Sequence, residues 1–265
     1  MTRKPAVAGS FYPADKQSLT RELRRCVTST EKKLPCIGAI VPHAGYVYSG
    51  AIAGALYSQI EIPPTVVILA PNHRGPLVPF ALSPDSHWQT PLGTVEVDTD
   101  LAGRLAAEFP DAELDAAPHT HEHSVEVQIP FLQFLRPDVK ILPILIAQHE
   151  YEPLAQLGAA LGKILRGRKA LIVASSDMTH FENAQTAKEL DDMALERVLA
   201  LDPAGLYATV MRHRISMCGF APSVAMLTAA IDLGAAAAEL VRYGHSGEQT
   251  GDDSSVVAYA AVRVC

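Results

Sequence analysis

Histidine follows three of the apolar segments that the sequence predicts as strands. His43 and His73 each come just after such a segment, and His180 lies three residues beyond Asp177, where another ends. In open α/β sheets, ligands bind outside the carboxyl ends of the strands. Each histidine alone is explained about equally well by a structural role, but three together favour a site. Imidazoles in that position could bind a metal ion or transfer protons.

Cys218 lies in the segment ISMCGFAP, just before a predicted alanine-rich helix. A free cysteine is most often a small buried hydrophobic residue. A helix start beyond it would favour the thiolate, which binds metals or reacts. The spacing alone leaves both interpretations open.

The densest polar cluster is HTHEHSVEVQ, in which His119, His121 and His123 alternate around Glu122. The zinc-protease pattern HExxH does not occur in it, because valine takes the place of the second histidine. We expect one of these three histidines to be functional. The other two are expected to be surface residues or hydrogen-bonding supports.

The elements that must position these residues alternate between strand and helix. Buried strands are predicted over 36–42, 65–71, 139–146 and 169–177, shorter polar strands within 80–98, and closing strands over 238–243 and 254–262. Helices are predicted over 14–33, 48–60, 98–109, 124–135 with a kink or restart at Pro130, 151–166, 183–200, 203–212 and 220–233. This alternation predicts an α/β fold with a mainly parallel central sheet and helices on both faces. Its regularity favours a single domain over residues 1–265.

Composition and missing motifs exclude several classes. The net charge of −7 and the lack of a basic run argue against a nucleic-acid partner. No apolar stretch approaches the ~20 residues of a membrane helix. The start of the chain lacks the apolar region of a signal peptide, and the four cysteines are irregularly spaced, so we expect a reduced cytoplasmic chain without disulfides. No P-loop, GxGxxG or GxSxG motif occurs, and a hydrolase using Ser175 or Ser176 is the weakest alternative.

Seven segments together resemble the Memo family, whose prokaryotic members are also called AmmeMemoRadiSam system protein B. They occur in order between residues 5 and 261: PAVAGSFYP, VPHAGYVYSG, PNH, EHSVEVQIPFLQ, SSDMTH, MCGFAP and GDDSSVVAYAA. This family is similar to class III extradiol dioxygenases, which hold a non-haem Fe(II) with two histidines and a carboxylate. The resemblance implies that His43 and His73 are the imidazole ligands. It places Cys218 where those dioxygenases have glutamate.

The resemblance also implies roles around the metal. His180 falls where the dioxygenases place a catalytic histidine, and Asp177 and His123 are similar to other pocket residues. It implies a metal-dependent oxidoreductase acting on a small molecule, with Fe(II) as the metal and copper or zinc as alternatives. His180 would be the general acid/base, oriented by Asp177, and His123 would hydrogen-bond substrate or oxygen. The alternatives are a non-catalytic metal-handling or peptide-binding protein, or an accessory component with radical-SAM partners.

Overall fold

A sheet gathers strands from both ends of the chain. The computed structural model describes residues 1–28, 33–74 and 78–265. Within these ranges twelve strands join the sheet. They are β1 (Thr2–Arg3), β2 (Gly38–Val41), β3 (Thr65–Pro71), β4 (Phe80–Leu82), β5 (His87–Thr90), β6 (Gly93–Val97), β7 (Ala112–Leu114), β8 (Lys140–Ile146), β9 (Ala170–Ser175), β10 (His180–Glu182), β11 (Ala238–His245) and β12 (Val256–Val264).

The centre of the sheet is parallel. Strands β6, β8, β3, β9 and β2 are hydrogen-bonded in that order and all run the same way. Their apolar runs suit strands that are buried on both faces. The register aligns the carboxyl ends, because Val41 pairs with Ser175 and Leu69 with Ala174. The segments that follow β2, β3 and β9 therefore emerge side by side, as the sequence predicts.

Antiparallel strands flank the parallel centre. Strand β12 pairs antiparallel with β2, β10 and β11, and β5 pairs antiparallel with β6. The prediction of a mainly parallel central sheet is confirmed for the strands that end at the candidate residues.

Nine α-helices lie in the described parts of the chain. They are α1 (Lys16–Cys26), α2 (Ala51–Gln59), α3 (Thr99–Glu108), α4 (Ile129–Leu135), α5 (Tyr151–Leu165), α6 (Ala184–Leu199), α7 (Pro203–His213), α8 (Phe220–Asp232) and α9 (Gly247–Thr250). None of the helices described is both long and apolar enough to cross a membrane.

Helices cover both faces of the sheet. Side chains of β3 alternate between two apolar cores, with Val67 and Leu69 in one and Val66 and Ile68 in the other. Helices α3, α5, α6, α7 and α8 pack in the first core, and α1, α2 and α4 in the second. This confirms the predicted layering.

Helix ends differ from the predictions for local reasons. The helix expected over 124–135 begins as a 3₁₀ turn, Glu126–Gln128, and continues as α4 with Pro130 in its first turn. Proline is tolerated there because a first-turn N–H has no partner within the helix. The helix expected over 14–33 ends at Cys26, and residues 29–32 of that prediction lie outside the described residues.

Cys36 and Cys265 form a disulfide, so the expectation of a chain without disulfides is wrong for this pair. Cys36 precedes β2 and Cys265 follows β12, and these two strands are antiparallel neighbours. The start of β2 therefore lies beside the end of β12, although Cys36 and Cys265 are 229 residues apart in sequence. Cys26 and Cys218 are free.

Candidate metal centre

The ends of two strands and the start of one helix bring His43, His73 and Cys218 together. His43 follows β2, His73 follows β3, and Cys218 lies just before α8. The ligand atoms that these residues offer all lie within 4.8 Å of one another. Sγ of Cys218 is 3.3 Å from Nε2 of His43. The group is one that could hold a metal ion, and it contains the ligand set that the resemblance implies.

A buried hydroxyl fixes the tautomer of His43. Nδ1 of His43 lies 3.0 Å from Oγ of Ser175, which donates its own proton to the carbonyl oxygen of Ser124 at 2.7 Å. Because that hydroxyl has one proton, His43 must donate from Nδ1. Its Nε2 then carries the lone pair that faces Cys218. Burial, and next the neighbouring imidazoles of His123 and His73, hold the pKa of His43 well below its ordinary value, which keeps the ring neutral as a metal ligand must be.

A buried carboxylate fixes His73 in the same way. Oε1 of Glu122 lies 3.1 Å from Nδ1 of His73, and Oε2 accepts the backbone N–H of His73 at 2.5 Å. Oε1 also accepts the backbone N–H groups of His123 and Ser124. Burial raises the pKa of Glu122, but the interactions with His123 and His73 outweigh it and leave the pKa well below the ordinary range. The carboxylate is therefore ionised and directs Nε2 of His73 outward, as in carboxylate–histidine–metal arrangements.

His123 is a third imidazole beside the two histidines. Its ring centroid lies 4.9 Å from that of His73, nearly parallel to it, and 5.4 Å from that of His43. The two other histidines of the cluster lie elsewhere: His119 is buried with Nε2 3.1 Å from the carbonyl oxygen of Ala81, and His121 is exposed. One histidine of the three therefore reaches the centre.

Asp177 contacts two members of the group, His43 and Cys218. Its Oδ1 accepts the backbone N–H of His43 at 2.8 Å, and its own N–H lies 3.3 Å from Sγ of Cys218. Burial raises the pKa of Asp177. Burial, and next the carboxylate of Asp177, also raise the pKa of the Cys218 thiol. A cation between the sulfur and the two imidazole lone pairs would offset that cost, because metal ligation stabilises the thiolate. The donor set therefore fits a metal ion.

His180 is oriented by Ser216, whereas the sequence analysis expects Asp177 in that role. Nδ1 of His180 donates to the carbonyl oxygen of Ser216 at 2.9 Å, and its backbone N–H donates to Oγ of the same serine at 2.8 Å. Asp177 is engaged instead with the backbone of His43. The lone pair of His180 is therefore on Nε2.

Sequence reasoning missed the supporting residues Glu122, Ser175 and Ser216. Glu122 had a usable signal, because it stands between two histidines in the segment HEH. The serines had none, since single hydroxyls are common and their partners are distant in sequence. Ser175, for example, is 132 residues away from His43 in the sequence.

The structure is that of an α/β protein in which two histidines and a cysteine form a group that could hold a metal ion. The chain belongs to the Memo family: a profile described as Memo-like protein matches residues 3–263. The resemblance stated from the sequence is thereby confirmed.

Relatives match along almost the whole chain. A MEMO1 family protein of Methanosarcina mazei is 42% identical over 266 residues, covering 99% of this chain and 98% of the relative. One from Aquifex aeolicus is 42% identical over 259 residues and covers 97% of each. A crystal structure of an uncharacterized protein from Escherichia coli K12 shares the fold at 14% identity, with a TM-score of 0.59 over 87% of this chain and 100% of that one.

Proposed function

We propose that this protein is a metal-dependent oxidoreductase with dioxygenase-like activity on a small molecule, and that Fe(II) is held by His43, His73 and Cys218. The observation that carries the proposal is the convergence of their ligand atoms within 4.8 Å. Hydrogen bonds at both Nδ1 atoms leave both Nε2 lone pairs available to the metal. With only three protein ligands, a bound metal would keep positions for substrate and dioxygen, as in non-haem iron oxygenases.

Held by His43, His73 and Cys218, Fe(II) would supply the redox chemistry that lets dioxygen react with an organic substrate. Dioxygen is the oxidant, the substrate is oxidised, and both oxygen atoms enter the product, so no external reductant is required. The protein groups hold the reactants and move protons.

His180 is the proposed general acid/base. Its Nδ1 is committed to the carbonyl oxygen of Ser216, so Nε2 is the atom that accepts a proton from a substrate hydroxyl and later returns it. His123, stacked beside His73, is proposed to hydrogen-bond substrate or oxygen. Asp177 is proposed to act by holding the backbone of His43, which is the contact it makes in the structure.

The test is elemental analysis of anaerobically purified protein, followed by oxygen-uptake measurements with catechols. Protein reconstituted with Fe(II) should consume oxygen with substrate, and protein reconstituted with Zn(II) should not, because zinc has no redox chemistry. Cys218→Ala is the matched protein control, which should lose iron and uptake together. Stoichiometric iron without oxygen uptake across the substrate panel would overturn the oxidoreductase proposal.

Cys218 favours one second candidate, a metal-handling protein without turnover. Thiolate is a softer ligand than the carboxylate of the related dioxygenases, and a site with two imidazoles and a thiolate also accepts Cu(I) or Zn(II). Competition with a chromophoric Cu(I) chelator tests this candidate. Tight Cu(I) binding that is lost in Cys218→Ser, together with no oxygen uptake by the iron form, would select it over the oxidoreductase.

A further inference from the structure

A buried ion pair lies under the loop that carries Glu122 and His123. Nη1 of Arg3 is 2.5 Å from Oε2 of Glu126, and the two side chains are 4% and 0% exposed. The partners are 123 residues apart in sequence. A buried ion pair is weak evidence of stabilisation, because apolar side chains of similar volume often serve as well. The other contacts of Arg3 and Glu126 indicate a positioning role.

The remaining donors of Arg3 bind the loop itself. Nε donates to the carbonyl oxygen of His119 at 2.7 Å, and Nη2 donates to that of Glu122 at 2.6 Å. The planar guanidinium thus holds two carbonyls of the loop while it pairs with Glu126. Its face also lies 4.1 Å from the ring centroid of Trp88. Lysine could not reproduce this arrangement, because its ammonium lacks the planar fork.

Glu126 binds the N-terminal segment in turn. Its Oε2 accepts the backbone N–H of Ala6 at 2.8 Å, and its Oε1 accepts that of Val7 at 3.0 Å and the hydroxyl of Tyr12 at 2.5 Å. Both carboxylate oxygens are therefore occupied by groups from residues 3–12.

Phe11 joins the N-terminal segment to His123. Its ring centroid lies 4.6 Å from that of His123, and its carbonyl oxygen accepts the backbone N–H of Tyr46 at 2.8 Å. The ring of His123 thus contacts the rings of both Phe11 and His73. The N-terminal segment therefore contacts Glu122 through Arg3 and His123 through Phe11.

We propose that residues 3–12 are a positioning element of the metal centre, in which Arg3 and Phe11 fix Glu122 and His123 and thereby the orientation and tautomer of His73. The inference rests on the proposed function in so far as His73 is a metal ligand. Neither Arg3 nor Phe11 is a ligand itself. Each acts through a residue that contacts His73.

The test uses Arg3→Lys and Phe11→Leu in the full chain, with Arg263→Lys as the matched control. Arg263 also pairs with a glutamate, Glu239, and hydrogen-bonds Gln59, but it lies in β12 opposite Ala39, at the other end of β2 from His43. Two quantities are measured. One is the imidazole ¹⁵N shifts of His73 in metal-free protein, and the other is the Zn(II) affinity by chelator competition.

We expect Arg3→Lys, which loosens the hold on Glu122, to mix the tautomers of His73. Both site variants should bind Zn(II) more weakly by up to about 10-fold, which is less than the 10- to 100-fold loss typical when an outer partner of a metal ligand is itself removed. Arg263→Lys should keep the wild-type shifts and affinity. Zn(II) affinity within about two-fold of wild type in both folded site variants would overturn the inference, whatever the shifts.

Neither readout depends on oxygen chemistry, so failure of the oxidoreductase proposal leaves this test intact. Cooperative urea unfolding checks that each variant is folded. Should Arg3→Lys fail to fold, Phe11→Leu decides the outcome, because it retains the ion pair and an apolar side chain but removes the ring contact with His123.

Discussion

Nδ1 of His43 and Oγ of Ser175 lie 3.0 Å apart in the protein interior, and this bond determines that the Nε2 lone pair of His43 faces Cys218. Ser175 also accepts a hydrogen bond from Nε2 of Gln128 at 2.9 Å and donates to the carbonyl oxygen of Ser124. Since the serine proton is committed to that carbonyl, Ser175 supports the ring of His43 and is badly placed to act as a nucleophile.

Ser175→Ala should weaken metal binding about 10- to 100-fold, because His43 then loses the partner that fixes its tautomer. Chelator competition with Zn(II) measures the effect. Ser58→Ala is the control, since it removes a buried hydroxyl that donates to the carbonyl oxygen of Gly54 within α2. Equal affinities of the two variants would contradict the role given to Ser175.

Cys218→Ala should abolish stoichiometric metal binding, because one of three ligands is lost. In Co(II)-substituted protein, the sulfur-to-metal charge-transfer absorption should disappear. Cys26→Ala is the control: its thiol is also buried, with a pKa raised to about 12, but it lies at the end of α1. A Cys218→Ala variant that retains full metal and the same spectrum would remove Cys218 from the ligand set.

His180→Gln should leave metal affinity near wild type and reduce oxygen-dependent turnover about 10²- to 10⁴-fold, the usual contribution of a general acid/base. The metal content and the rate are measured on the same preparation. His213→Gln, at the exposed end of α7, should change neither quantity. Loss of metal from His180→Gln would show that His180 is a ligand and would refute the role proposed for it.

The sequence predicted the sheet and the direction of its strands, because continuous apolar runs and helical periodicity are local properties. It therefore placed His43 and His73 at one edge. It could not derive Cys218 from spacing, since a lone cysteine before a helix is more often a buried hydrophobic residue. That assignment came from the family resemblance, and the structure places Sγ 3.3 Å from Nε2 of His43.

The contacts that the sequence missed join residues far apart in the chain. Arg3 and Glu126 are an example, because nothing near either residue in sequence indicates its partner. The orientation of His180 is another: Asp177 is the nearer residue in sequence, but the backbone of His43 occupies its carboxylate and leaves Ser216 to hold the ring. Pairings of this kind depend on the completed fold.

Acid should destabilise the protein through His119. Burial, and next the charge of Arg3, lower the pKa of His119 to about 4, and its Nδ1 has no hydrogen-bond partner within the described residues. In the unfolded chain the pKa is about 6.5, so between these values the unfolded state binds a proton that the native state does not. His119 therefore does not lower the free energy of unfolding above about pH 6.5. As the pH drops to about 4, this free energy falls by up to about 3 kcal/mol because of His119.

Urea unfolding of wild type and His119→Gln across this pH range tests the effect of His119. Glutamine retains a donor for the carbonyl oxygen of Ala81, which His119 contacts through Nε2, and does not titrate. The free energy of unfolding of the variant should therefore fall less steeply toward acid. Parallel curves would show that His119 does not contribute to the acid sensitivity.

The packing of α1 against α2 leaves no room for a side chain at Gly54. A Cβ added there would lie 2.2 Å from the carbonyl oxygen of Cys26, which is backbone and cannot move aside easily. Gly54→Ala should therefore lower the free energy of unfolding by about 1–3 kcal/mol, as overpacking does. Gly103 lies on the exposed side of α3, and beyond its own helix backbone nothing lies within 4 Å of an added Cβ. Gly103→Ala should therefore stabilise the protein by about 0.5–1 kcal/mol through helix propensity alone. Urea unfolding of both variants measures whether the two changes in the free energy of unfolding have opposite signs. A stabilising Gly54→Ala would mean that α1 moves away from α2 at little cost, and would remove close packing as the reason for glycine at this position.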